Sequence, residues 1–223
     1  EIEMLEKALK DPEPPMMAII GGSKVSSKLS LLGNLIEKMQ FLAIGGGMAN
    51  TFLAAQGKNI GASFYEKNMI DEAKEILEKA KISNCDIILP IDAVVANKLE
   101  FGVESNTVEL KDVLKENMIL DVGEKTVELI SNAIINSKTL LWNGPLGVFE
   151  IPPFDQSTSS CALTAAMMTR AGGLLSVAGG GDTVAALNNA GASGGFSYVS
   201  VAGGAFLEWL EGKTLPGIAV LID

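Results

Sequence analysis

A chain of 223 residues, 48% apolar and 20% charged, has the composition of a globular protein and enough length for one large α/β domain or two small ones. Its net charge of −10 argues against nucleic acid or an anionic membrane as the main partner, and no apolar stretch reaches the ~18 residues of a membrane span. Histidine is absent, which excludes a Ser-His-Asp triad, histidine general-base catalysis and any His-containing zinc site within this chain.

In chain order, Ile2, Leu5, Ala8 and Leu9 form the apolar stripe of a charged amphipathic helix, which is not a signal peptide. The chain begins without Met inside that helix and is expected to be cut from something longer. Asp11-Pro12-Glu13-Pro14-Pro15 cannot continue a helix and predicts a stiff connector. From residue 16 a strand–bend–helix pattern repeats. The apolar run at 17–20 predicts a strand leading to a helix at 26–39. A second strand at 41–44 precedes a helix starting near Met48, and Met69, Ile70, Ala73, Ile76, Leu77 and Ala80 mark one face of a long helix over 66–81. A third strand, 86–89, stops at Pro90.

Residues 92–120 are less regular and predict a short antiparallel excursion pairing 97–101 with 107–110. A turn at 121–126 opens a helix to about residue 136. Strands at 139–142, 174–178 and 197–201 follow, with helices at 157–170, 183–190 and 205–211 and an edge strand at 218–222. Strands alternating with helices predict a three-layer α/β/α domain with a mainly parallel six-stranded Rossmann-like sheet. Cys85 and Cys161 have apolar or small neighbours and no Cys-x-x-Cys spacing, so buried free thiols and a reducing, cytoplasmic setting are expected.

Four glycine-rich bends punctuate this pattern where a strand is expected to meet a helix: residues 21–24, 45–47, 143–147 and 179–182. Glycine permits close backbone approach, and a helix beginning just beyond directs free N–H groups at a ligand, so such a junction attracts phosphate. Four of them predict one crevice outside the carboxyl ends of the strands. Lys24 and Lys28, four apart after the first bend, share a face if a helix starts there; they read either as solvated lysines or as phosphate ligands. Asp182 reads as an N-cap or as a carboxylate positioning Mg²⁺ on bound phosphates. The glycines at 45–47 also have a packing reading, with a helix lying close on the sheet. Asn143 and Glu150 have no obvious structural need and could meet phosphate and sugar hydroxyls. Neither a Walker A loop nor Gly-x-Gly-x-x-Gly is present, which counts against a dinucleotide oxidoreductase.

Five strings, GGSKVSSK (21–28), GGGMANTFL (45–53), WNGPLGVFE (142–150), GGGDTVAAL (179–187) and LEWLEGKTLPG (207–217), together resemble the C-terminal, nucleotide-binding half of phosphoglycerate kinase, in that family's order and across nearly the whole chain. The resemblance implies phosphate transfer between 1,3-bisphosphoglycerate and ADP in glycolysis, with Mg²⁺ and ATP or ADP bound here. The 3-phosphoglycerate or 1,3-bisphosphoglycerate would reach the site through an N-terminal half not contained in this chain. Residues 1–15 then correspond to the end of an interdomain helix and its connector, and 16–223 to the nucleotide-binding domain. By position, Lys24 and Lys28 would reach the nucleotide phosphates, with Lys28 near the transferred group and Gly22 and Ser23 beside them. Asn143 would neighbour the phosphates, Asp182 would ligand Mg²⁺ and Glu150 would contact the ribose. Gly46, Gly47, Gly123, Pro145, Gly147 and Val148 would border the nucleoside. Gly180, Gly181, Thr183 and the bend at Gly203-Gly204 would offer donors to phosphate, Lys28, Gly181 and Gly204 acting in catalysis. Val201-Ala202 stands where the family usually has Thr-Gly, Tyr198 where His is common and Ser27 where Asp is common. A diverged, non-catalytic nucleotide-binding domain is therefore the alternative. Without the other half, transfer by this chain is expected to be very poor.

Overall fold

The computed structural model describes residues 12–200. The helices expected at the chain start and at 205–211, the edge strand at 218–222, and residues 201–204 lie outside the described residues.

Six strands form one parallel sheet: β1 (Met16–Ile20), β2 (Phe41–Ile44), β3 (Asp86–Ile88), and, later in the chain, Thr139–Asn143, Leu175–Gly179 and Tyr198–Ser200. Between these two sets come β4 (Asp92–Ala96), β5 (Asn106–Glu109) and β6 (Met118–Val122), so the last three strands of the large sheet are β7, β8 and β9. The order in the large sheet is β3-β2-β1-β7-β8-β9, with every neighbour pair parallel. All six predicted sheet strands are present.

The helices are α1 (Leu29–Ile36), α2 (Gly46–Ala55), α3 (Ile70–Ile82), α4 (Glu124–Ile135), α5 (Gln156–Arg170) and α6 (Gly181–Asn189). The sheet is covered on both faces, as its uninterrupted apolar strands require. Side chains of β1 alternate between the layers. Ala18 and Ile20 pack with Leu32 of α1, Phe52 of α2 and Ile76 of α3. Met17 and Ile19 pack with Ile130 of α4, Ala162 of α5 and Leu187 of α6. Trp142 is fully buried on the second face and satisfies its indole by donating to the Gly144 carbonyl at 2.8 Å.

The antiparallel excursion differs from expectation. Residue 106–109 pairing is present, but its partner is β4 at 92–96, and β6 joins on the other side to give the order β5-β4-β6. Residues 97–101 form the connection instead. The physical reason is burial: β4 is covered on nearly its whole length, so Asp92-Ala-Val-Val-Ala lacks the polar alternation that the exposed stretch after it displays. β6 runs through the acidic Asp121 to Val122, a stretch expected as a turn from the sequence.

Asp92 itself is buried and closes the start of α4. Its carboxylate accepts the N–H groups of Lys125 (3.0 Å) and Thr126 (2.9 Å) and the Thr126 hydroxyl (2.6 Å). These are donors that a helix start otherwise leaves unpaired. Asp92→Ala is expected to lower unfolding stability by about 2 kcal/mol, since those donors stay buried without an acceptor. In urea denaturation the midpoint should fall at unchanged slope. An unmoved midpoint contradicts the capping role.

Candidate functional site at the carboxyl edge of the sheet

The bends after β1, β2, β7 and β8 are bonded to one another, and this fixes the crevice. Gly21 N donates to the Asn143 carbonyl at 2.9 Å, Gly45 N to Ile20 at 3.0 Å, Gly46 N to Leu146 at 2.7 Å, and Met48 N to Gly22 at 2.9 Å. Gly144 N donates to the Thr183 hydroxyl at 2.7 Å, tying the third bend to the fourth. Gly46 has φ 66°, and a Cβ there would lie 2.6 Å from the Gly22 carbonyl oxygen, so glycine is required on both counts.

The four bends differ in what they leave open. The first does not start a helix at once: residues 24–28 form a bend and turn, and α1 begins at Leu29. Lys24 and Lys28 therefore do not share a helical face, contrary to the sequence-based expectation. Lys24 is exposed, whereas Lys28 is half-buried and turned inward. The second bend starts α2, but the N–H groups of Gly46 and Met48 are already held by carbonyls of the neighbouring bends. The third hands over to a loop, since α5 begins only at Gln156. The start of α5 is closed by Asp121, whose carboxylate accepts Ser157 N at 3.1 Å.

The fourth bend is different. α6 starts at Gly181, its N-cap position is Gly180 (φ 101°), and no side chain caps it. Asp182 is thus not the N-cap; it is an exposed first-turn residue. Among the described residues the first-turn N–H groups of α6 meet no acceptor and a Cβ on Gly181 would meet nothing, so these residues leave that helix end open. Gly180 instead makes room for Asn143, whose Nδ2 a Cβ would approach to 2.7 Å.

Lys28 lies where the first and third bends cross. Its Nζ donates to the Gly21 carbonyl (2.7 Å), the Asn143 carbonyl (3.3 Å) and Asn143 Oδ1 (2.5 Å). Asn143 Nδ2 donates to the Gly179 carbonyl at 2.7 Å, which fixes the amide's orientation and links Lys28 to the fourth bend. Burial pushes the Lys28 ammonium down to about 8, with the Asp182 carboxylate pulling partly back.

Beside this network lies a cleft of about 320 Å³. Of the residues singled out in the sequence, Gly22, Ser23, Gly46 and Gly47 line one side and Pro145, Gly147, Val148 and Glu150 another, with Asp182 also at its wall. Asn143, Gly180, Gly181, Thr183 and Lys28 belong to the adjoining bend network. Gly123 is outside the lining and packs against the Asp92 carboxylate. Gly204 lies outside the described residues.

Sequence reading missed the part of the lining that β6 contributes, Ile119 to Val122, and Asn50 of α2. Asn50 is buried; its Nδ2 donates to the Phe64 carbonyl at 3.2 Å, and its Oδ1 has no partner among the described residues. Asp121 is buried as well, and burial pushes its carboxyl up to about 7 despite bonds from Ser157 and Val122. The available signal was a lone acid closing an apolar run before Gly123.

Among the described residues no group of three or more Asp, Glu, Cys or His side chains could hold a metal ion unaided. Cys85 and Cys161 are free and buried, and burial pushes their thiols up to about 11 and about 12. No described helix is long and apolar enough to cross a membrane.

A parallel sheet covered on both faces, with its crevice at the strands' carboxyl ends, defines an α/β domain of the Rossmann-like class. A phosphoglycerate kinase family model matches residues 1–213, and the chain belongs to that family. It is 58% identical over 221 residues to the phosphoglycerate kinase of Cereibacter sphaeroides and 58% identical over 223 residues to that of Ruegeria pomeroyi, covering 99% and 100% of this chain. The chain spans 56% of the length of either relative. The solved phosphoglycerate kinase of Coxiella burnetii superposes with a TM-score of 0.94 at 44% identity, and that of Pyrococcus horikoshii with 0.82 at 27%, each over 99% of this chain. Those matches cover 56% and 55% of the solved chains.

The depressed Lys28 makes stability pH-dependent in a definite sense. Its folded value, about 8, lies below the ordinary 10.5, so between these values the unfolded chain holds more protons and stability rises with pH. The penalty is fully present below pH 8 and is relieved towards pH 10.5. Relative to Lys28→Met, which has no such titration, the wild type is expected to gain on the order of 3 kcal/mol over that interval. Parallel urea curves at pH 7, 8.5 and 10 check this; a constant difference between the two proteins contradicts it.

Proposed function

We propose that this chain is the nucleotide-binding half of a phosphoglycerate kinase, which together with an N-terminal half transfers phosphate between 1,3-bisphosphoglycerate and ADP. The observation that carries the reading is the pairing of an open helix start at Gly181 with an inward-turned Lys28, both at the edge of one cleft. Each favours an anion: the helix start through free N–H groups and its dipole, the lysine through charge.

The residues fit a magnesium–nucleotide complex. Mg²⁺ is held by one or two carboxylates plus substrate phosphates rather than by an all-protein cage. A single acidic residue at the open helix start, Asp182, suits that mode. When bound, the ion would neutralise charge on the phosphate oxygens. Lys28 would act on the transferred group through its charge, with Asn143 and the Gly21 carbonyl holding that amine in place. Thr183, Gly180 and Gly181 would bind the remaining phosphate oxygens, joined by Lys24, Gly22, Ser23 and the Gly203-Gly204 bend. Gly46, Gly47, Pro145, Gly147 and Val148 would enclose the nucleoside, and Glu150 would accept from the ribose hydroxyls. Gly123 would act one step back, behind Val122. Residues 1–15 would connect this domain to the other half, and a reducing cytoplasm suits the two free thiols.

Titration calorimetry with Mg-ADP tests the reading: saturable binding is expected, and none at millimolar nucleotide by a folded chain overturns it. In the enzyme carrying both halves, Lys28→Ala is expected to lower kcat by about 10²-fold, on the order of 3 kcal/mol, with a much smaller loss of ADP affinity. Equal losses in both would contradict a role in the transition state.

A further inference from the structure

We propose that Asp121 is the positioning residue of the nucleoside side of the cleft, the carboxylate against which two of its wall segments, β6 and the 145–148 loop, are set with the neighbouring helix α5. The inference rests on the nucleotide-binding reading above and assigns a role to a residue that carries none in it.

Asp121 sits near the end of β6, is 1% exposed, and belongs to the cleft lining. Its Oδ1 accepts Val122 N at 2.9 Å and the Ser157 hydroxyl; its Oδ2 accepts Ser157 N at 3.1 Å. Through Ser157 it closes the start of α5, whose own N-cap residue, Asp155, makes no capping bond. The loop after β7 is held against the same carboxylate. Gly147 packs so closely on Asp121 that a Cβ would overlap the carboxylate. On either side of Gly147, Leu146 N donates to Thr158 of α5 at 3.0 Å and Val148 N to the Leu120 carbonyl of β6 at 2.8 Å.

One carboxylate therefore sets the spacing of β6, the 145–148 loop and α5. The first two supply much of the cleft wall. No cation among the described residues pairs with Asp121; the charged neighbour that acts on it is Asp155, a like charge. A buried acid with no counter-ion is costly, and a well-packed apolar residue would fill the same space without that cost. What the acid provides is three acceptor contacts with fixed directions, which tie β6 to α5, and the glycine and proline loop is packed and bonded against that pair.

Asp121→Asn keeps the shape but sets an amide N–H₂ against N–H donors. The prediction is selective. Adenosine, which probes the nucleoside wall alone, should lose about tenfold in affinity, the equivalent of one displaced hydrogen bond. Mg-pyrophosphate, measured as a competitor of Mg-ADP, probes the phosphate end and should be unchanged. Ser157→Ala, which removes one donor and leaves the N–H bonds, should lower adenosine affinity less, and it decides the matter if Asp121→Asn does not fold. Wild-type Mg-ADP binding is the reference, because its absence overturns the nucleotide reading itself. If the wild type binds Mg-ADP, the positioning role is overturned by any of three results: no adenosine binding, variants with wild-type adenosine affinity, or equal losses for adenosine and Mg-pyrophosphate.

Discussion

The crevice depends on an ammonium group drawn off the surface to the crossing of two bends. Lys28 gives its three N–H donors to two backbone carbonyls and one side-chain amide, with no carboxylate among the described residues bonded to it. Each contact is a good hydrogen bond, yet together they do not replace the hydration of a full charge, and the ammonium is depressed to about 8 as a result. The site thus holds unmet positive potential. An anion nearby would stabilise the charged form, so on the proposed reading the cost of burying this amine and an attraction for phosphate have the same origin. Asn143 makes the arrangement specific: one end of its amide holds the lysine and the other holds the Gly179 carbonyl, so the amine is referenced to both β7 and β8.

The helix starts around that crevice show how a fold separates scaffold from site. Every α-helix begins with unpaired N–H groups. At α2 they are met by the carbonyls of Leu146 and Gly22, at α4 by Asp92, and at α5 by Asp121. These are cross-links, and those from Asp92 and Asp121 tie the antiparallel sheet to helices that cover the parallel one. At α6, beside the cleft, the first-turn donors are left over among the described residues, and there is capacity to hold something else. A glycine-rich junction is therefore not in itself an anion site; what its neighbours have already consumed decides.

This distinction also explains what was legible beforehand. The parallel sheet could be read because its strands are short apolar runs, each cut off by glycine or proline, and all six were found. The site's inventory was legible for the same reason: the bends are local in sequence. Two things were not local. β4 and β6 are strands whose burial comes from contacts with distant elements, so neither shows period-two alternation, and the alternation at 97–101 pointed to the wrong segment. The facing of Lys28 depends on the Asn143 carbonyl and amide, 115 residues away, and helical spacing gave the wrong partner in Lys24. Asp121 was overlooked because residues 121–126 read as a turn opening a helix. Its acceptor role appears only once the start of α5 is folded against it.

The chain's acidity fits this local arrangement. A net charge of −10 sets a repulsive field around the molecule, but at physiological salt that field is screened beyond about 8 Å. Inside the crevice the nearby dipoles and Lys28 dominate, since they act at bonding distance in a partly dry site. At the cleft's margin, however, Glu150 and Asp182 are both exposed. On the proposed reading such a margin discriminates between forms of the ligand. A bare polyphosphate carries its full negative charge past two carboxylates, whereas a magnesium complex carries less charge and gives Asp182 something to bind. Negative residues at an anion site then act as a filter for the metal-bound form, and the single amine inside is enough because the rest of the phosphate charge arrives already neutralised.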